Sequence, residues 1–124
     1  MNSYRELDIY NKSKELAVEI HKMSLSLPKF ELYEEGSQIR RSAKSIAANI
    51  VEGYGRKKYK AEFIRYLIFS IAECDETILH LDLLFETKSL QEQAVYDHLR
   101  NEYESLSKMI NNFIKYVDQN WKTR

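Results

Sequence analysis

The sequence predicts an all-α protein: an up-down-up-down, antiparallel, left-handed four-helix bundle, with residues 1–124 forming one domain. Three observations carry this expectation. Only three glycines and one proline punctuate 124 residues, too few for the turns of a strand-rich fold. Apolar residues recur at steps of three and four in four long segments, which marks one face of a helix and, where the steps alternate, a left-handed seam. The connectors between these segments are short, so successive helices are expected to be antiparallel neighbours.

The first helix is expected over residues 5–27, with Ile9, Ser13, Leu16, Ala17, Ile20, Met23 and Leu27 along one side. Pro28 ends it, because proline lacks an N–H and disfavours helical geometry in the residue before it. Residues 29–36 form a connector whose Phe30, Leu32 and Tyr33 are expected to tuck under the bundle end. Gly36-Ser37 then opens the second helix, with Ser37 as N-cap. At ~100° per residue, Ile39, Ala43, Ile46, Ile50 and Tyr54 gather on one side of this helix. Gln38, Arg41, Ser45, Asn49 and Glu52 gather on the opposite side. Gly53 and Gly55 are expected to stop the helix, since glycine takes the left-handed conformation after a helix cheaply. The third helix, residues 57–87, carries Phe63, Leu67, Ile71, Cys74, Ile78, Leu81 and Phe85 at alternating steps of four and three. The fourth, residues 89–121, repeats the pattern with Val95, Leu99, Leu106, Met109, Phe113 and Val117.

Composition bounds the function. A chain that is 44% hydrophobic and 31% charged is globular rather than disordered, and it is long enough to bury a core. Cys74 is the one cysteine, which excludes an internal disulfide and points to a reducing compartment. The N-terminal residues lack the apolar run of a signal peptide, and no window approaches the ~18 apolar residues of a membrane span. A cytoplasmic protein with no membrane partner is expected. Basic and acidic residues balance at 19 each, yet residues 40–65 hold eight basic side chains against two acidic ones. In the antiparallel topology, residues 1–8, 52–62 and 115–124 share a pole of net charge +3, and residues 22–35 and 82–92 share a pole of −3. Such a division serves ligand steering or solubility.

Sequence logic leaves little room for catalysis. GYGRKK, residues 53–58, follows a helix rather than a strand and lacks the spacing of a phosphate-binding loop. The residues three before His21, His80 and His98 are Val18, Thr77 and Val95, so the Glu-x-x-His pairs of metal-binding bundles are absent. Glu73, Glu76 and His80 share one helix face, with Glu76 and His80 spaced as a solvated side-chain pair. Cys74 falls on the seam, where a free cysteine acts as a small hydrophobe, and no Gly-x-Ser-x-Gly elbow occurs. No catalytic residue, metal or cofactor is expected. A metal-dependent bundle enzyme, the third possibility, predicts stoichiometric metal in the purified protein.

Two surface features remain. The stripe of Gln38, Arg41, Ser45, Asn49 and Glu52 alternates long polar and small residues, and Ser42 and Ala48 beside it keep the face low in bulk. This suits close approach of another subunit, whose groups would satisfy the polar atoms; the plainer reading is a solvated helix face. The run Arg56-Lys57-Lys58-Tyr59-Lys60 offers cations for phosphates and a tyrosine for base stacking; its plainer reading is a solvated connector. The expected protein is a non-enzymatic homo-oligomer that contacts RNA, DNA or a nucleic-acid enzyme through its basic pole. The alternative is a protein–protein interaction scaffold with no nucleic-acid role.

The motif order SQIRRSAKSIAANIVEGYGR followed by EFIRYL resembles the four-helix bundle protein family, also called the S23 or 23S rRNA intervening-sequence proteins. The resembling positions are Gln38, Arg40, Arg41, Ser45, Ile46, Asn49, Ile50, Glu52, Gly53, Gly55, Arg56, Glu62 and Phe63. The opening ELDIYNKSKELAVEIHKM is similar to the family's first helix, so the resemblance spans nearly the whole chain. Ala47 stands where relatives often have proline, and residues 72–75 stand where they often carry a small Gly-Ser pair. The resemblance implies a compact bundle that assembles into a homo-oligomer, with a pentameric ring as its form, and no established enzymatic activity or catalytic residues. It also implies nucleic-acid or ribonucleoprotein partners. Some members are encoded inside ribosomal RNA genes, and a related group accompanies reverse transcriptases in diversity-generating retroelements.

Overall fold

The apolar-striped segments become four helices in the computed structural model, which describes residues 3–121. They are α1 (Asp8–Leu25), α2 (Glu35–Gly55), α3 (Lys60–Glu86) and α4 (Gln93–Asn120). Short 3-10 helices, Tyr4–Glu6 and Lys29–Tyr33, precede α1 and α2. No strand occurs among the described residues. Each helix packs on the next, and α4 closes back on α1.

Pairings between helices fix their directions. Between α2 and α3, Glu35 meets His80 at 2.6 Å, Ser42 meets Thr77 at 2.8 Å and the Ile46 carbonyl accepts from Ser70 at 3.0 Å. Between α3 and α4, Lys60 reaches the Asp118 carbonyl at 3.1 Å and Asp82 accepts from Arg100 at 3.0 Å. Between α1 and α4, Lys12 pairs with Glu102 and Glu19 with His98. In every case numbers rise on one helix as they fall on its neighbour, so these helices are antiparallel.

The predicted seams supply the core. Ile9, Leu16, Ile20 and Met23 of α1, the whole Ile39–Tyr54 stripe of α2, and Phe63, Leu67, Cys74 and Leu81 of α3 are buried. From α4 come Leu99, Leu106 and Val117, together with Tyr103 and Ile110. Burying each such aliphatic or aromatic side chain contributes about 1.5–3 kcal/mol. Ile71, Ile78 and Phe85 of the predicted α3 seam are only half-buried, because Ser70, Thr77 and His80 turn towards α2 and Leu84 is buried instead.

Four boundary expectations are corrected. Helix α2 starts at Glu35, so Ser37 lies within the helix and is not its N-cap. Its first turn is held by the Glu31 carboxylate, which accepts from the Glu35 N–H at 3.2 Å. Phe30 and Tyr33 face outward, 59% and 89% exposed. Glu31 is the buried residue of that connector, and it also accepts from the Ser89 hydroxyl at 2.6 Å. The tight 3-10 turn therefore aims a carboxylate inward, where two donors compensate its burial. Helices α3 and α4 start later than the periodicity suggests, at Lys60 and Gln93.

The fourth correction concerns the glycines. Helix α2 continues through Gly53 and Gly55, and neither has a positive φ; among the described residues Lys88, at φ 69°, is the one non-glycine that does. Gly53 is required for close packing rather than for a turn. A Cβ there would lie 2.9 Å from Tyr66 Cβ and 3.3 Å from the Phe63 carbonyl oxygen on α3. Gly55 has nothing within 4 Å.

These two glycines give a paired expectation. Gly53→Ala should destabilise by about 1–3 kcal/mol through overpacking against the α3 backbone. Gly55→Ala, with open space and ordinary helical geometry, should be neutral or stabilise by up to about 1 kcal/mol. Urea unfolding of both variants checks the contrast, and equal effects would contradict the packing role of Gly53.

Candidate nucleic-acid interface

The basic pole is built where α2 hands over to α3. Three backbone bonds shape the turn: Arg56 N–H to Gly53 at 3.0 Å, Lys57 N–H to Tyr54 at 3.1 Å and Tyr59 N–H to Arg56 at 2.9 Å. The end of α4 clasps it from the side. The Trp121 indole N–H donates to the Lys57 carbonyl at 3.0 Å, and its ring meets Phe63 edge-on at 5.3 Å.

The five residues predicted to bind nucleic acid come together here but differ in their occupations. Arg56 donates to Glu52 at 3.0 and 3.1 Å and to Glu62 at 3.3 Å, and its guanidinium lies 5.0 Å from the Tyr66 ring centre. The Glu52 hydrogen bond, first among the causes, holds this guanidinium even more basic than usual. Lys57 Nζ sits 3.8 Å from the Tyr54 ring centre. Lys60 spends a donor on the Asp118 carbonyl in the last turn of α4, where a cation complements the helix dipole. Lys58 and Tyr59 are exposed, with the ammonium 5.8 Å from its neighbour's ring centre.

Tyr66 and Trp121, which hold a cation and the turn, carry no role in the sequence reading, and Tyr54, expected there as a core residue of the α2 stripe, also holds Lys57. Their signal was present: antiparallel topology brings the aromatic ends of α2 and α4 and the start of α3 to one pole. Lys122 and Arg124, part of the charge count for this pole, lie outside the described residues.

The polar stripe of α2 runs beside α3. Ser45 is half-buried near Glu73 of α3, and Asn49 donates to the Ser45 carbonyl at 2.9 Å. Glu52 is engaged with Arg56, Arg41 is exposed on the side of Glu76, and Gln38 is exposed. Ser45 and Asn49 are thus half-buried, and the other three are exposed.

The Glu76–His80 pair is not the solvated pair expected. His80 is buried, with Nδ1 2.6 Å from Glu35 and Nε2 3.5 Å from Glu76. Among the described residues no group of three or more His, Cys, Asp or Glu is arranged to hold a metal. Cys74 is buried, and burial pushes its thiol up to about 12, so it is not poised as a nucleophile. No helix among the described residues is long and apolar enough to cross a membrane.

Glu73 is pushed up to about 7 from an ordinary 4.5, first by burial and then by the neighbouring Glu76 carboxyl. A raised carboxyl favours the folded state while protonated, so its contribution is fully present below about 4.5 and lost as pH rises through about 7. Glu73→Gln should therefore raise the melting temperature at pH 8 and change it little at pH 5. Melting curves at the two pH values check this, and an equal shift at both would contradict the assignment.

No curated protein matches the chain. A crystal structure of a protein of unknown function from the S23 ribosomal protein family of Bacteroides thetaiotaomicron VPI-5482 is similar, with 30% identity and a TM-score of 0.75. The match covers 86% of this chain and 98% of that one. The model of the 23S rRNA-intervening sequence protein family matches residues 5–112. With nearly the whole bundle inside that match, the chain belongs to the 23S rRNA-intervening sequence protein family.

Proposed function

We propose that this protein is a non-enzymatic, homo-oligomeric adaptor of the cytoplasm, a pentameric ring that contacts RNA, DNA or an enzyme acting on them through its basic pole. The observation that carries this reading is the exposed Lys58–Tyr59 pair, displayed on a turn whose backbone is fixed by α2 and α4. A cation beside an aromatic face engages a phosphate and a base together. The family's name, which refers to an intervening sequence of 23S rRNA, agrees with a nucleic-acid setting. Subunits meet through the outward residues of the α2 stripe, Gln38, Arg41 and Glu52, with Ser45 and Asn49 at its edge.

A second reading, a protein-interaction scaffold with no nucleic-acid role, draws support from Arg56 and Lys60. Both direct their charge at groups of the same chain. One experiment separates the two: binding of labelled structured RNA and of duplex DNA across a salt series. The adaptor reading expects binding that falls steeply with salt. Replacing Arg56, Lys57, Lys58 and Lys60 with alanine should abolish it and leave the oligomer intact. Lys58→Ala alone should lower the log–log salt slope by about one, and Tyr59→Ala should cost about 1–3 kcal/mol. No binding at low salt would overturn the adaptor reading in favour of the scaffold.

A further inference from the structure

The charges of α1 are sorted by side. Its acids, Asp8, Glu15 and Glu19, gather next to α4. Asp8 lines a cleft with Asn112 and Tyr116, Glu19 pairs with His98, and Glu15 adds to the negative field at Lys12, which pairs with Glu102. At ~100° per residue, the arc of about 140° from Ala17 to Lys22 includes Lys14, Val18, His21 and Leu25 and no acid. Helix α2 meets this arc with a similar one. Its outer residues from Ala47 to Arg41, with Lys44, Ala48 and Val51 among them, also include no acid. Glu52 lies beyond them, bonded to Arg56.

Between the two arcs runs an open groove of about 350 Å³. Ala17, Val18 and Ala47 form its floor, and Lys14, His21, Lys22 and Lys44 rim it. The floor stays wet in this chain, with Val18 48% exposed and Leu25, further along α1, 60% exposed. The three lysines are exposed, and none of them enters an ion pair among the described residues. An apolar trough bounded by cations alone is therefore left unmatched by the fold.

We propose that the α1/α2 groove docks an acidic amphipathic helix of a partner protein. Two helices with small residues facing each other leave a trough that a third helix fills with its apolar face, and Asp or Glu flanking that face meets the lysines on either side. From Lys14 to Leu25 the trough runs about 17 Å, room for three helical turns. Other anions fit less well. A nucleic acid finds no aromatic face on a floor of alanine and valine to stack its bases, and a bilayer surface cannot follow a concave floor. The groove opens mid-bundle while the basic turn lies past Gly55, so this goes beyond the nucleic-acid reading and gives the chain a second docking surface.

The test is fluorescence anisotropy with a labelled synthetic peptide of about 18 residues, Leu at helical spacing and Glu elsewhere. Wild type should bind it, with amide shift changes centred on Ala17, Val18 and Ala47, and should bind the same peptide with Lys for Glu at least tenfold more weakly. Val18→Glu should weaken the acidic peptide at least tenfold. Lys14→Glu with Lys22→Glu and Lys44→Glu should reverse the preference, so that the lysine peptide binds and the glutamate peptide does not. All these variants are at exposed positions, and circular dichroism checks their fold. Binding of neither peptide by wild type, or a preference that survives the reversal, would overturn the proposal. Equal binding of a proline-broken acidic peptide would overturn it too, because charge alone would then suffice. Phosphatidylglycerol vesicles or single-stranded RNA shifting the same amides in place of the peptide would assign the groove to a membrane or a nucleic acid instead. None of the variants alters the basic turn, so the outcome stands apart from the salt-series test of the pole.

Discussion

The close approach of α2 to α3 is the constraint on which the rest of the structure depends. It needs Gly53, whose missing side chain lets Tyr66 and Phe63 come within contact of the α2 backbone. It also needs small polar residues that carry their own partners. Ser42 bonds Thr77, and Ser70 bonds the Ile46 carbonyl, so hydroxyls sit between the helices without an unsatisfied group. Bulky apolar residues at these places would hold the helices further apart and open the core beneath them.

That contact sets the register of the pole. With α2 and α3 fixed at Gly53 and Phe63, only the turn around residues 56–59 is left to join them, and its cations are placed before any ligand arrives. Aromatic faces then hold them, with Tyr54 under Lys57 and Tyr66 under Arg56, while Trp121 and Lys60 tie the end of α4 to the same turn. At the other pole, Glu31 performs the analogous task by joining the α1–α2 connector to Ser89 and to the first turn of α2. These contacts engage Arg56, Lys57 and Lys60 and leave Lys58 and Tyr59 exposed.

The fold was legible because periodicity reports burial directly: the α2 stripe from Ile39 to Tyr54 is buried as predicted. Where the reading departed from the structure, a local rule lost to a tertiary contact. Glycine after an apolar run suggested a helix stop, but at Gly53 the space was taken by α3 rather than by a left-handed turn. Phe30 and Tyr33 looked like core residues by hydrophobicity, yet the 3-10 geometry turned Glu31 inward because α2 and Ser89 offered donors. His80 looked solvated by its spacing from Glu76, and its burial against Glu35 depends on a residue forty-five positions away. At the pole, charge was readable from composition. Which cations were already engaged was not, since that depends on the Tyr54 and Tyr66 rings of α2 and α3 and on the Asp118 carbonyl brought from α4.

The bundle, through α2 and α3, organises the basic turn. Residue-resolved amide hydrogen exchange by NMR tests it most directly. The account predicts that the Lys57 and Tyr59 amides, bonded to the Tyr54 and Arg56 carbonyls, are protected well above open-chain rates, as is the Trp121 indole N–H. It also predicts that Gly53→Ala lowers their protection together with that of the α2–α3 contact. Open-chain exchange at Lys57 and Tyr59 beside a protected core would contradict this, because the helices would then leave the turn they join unheld.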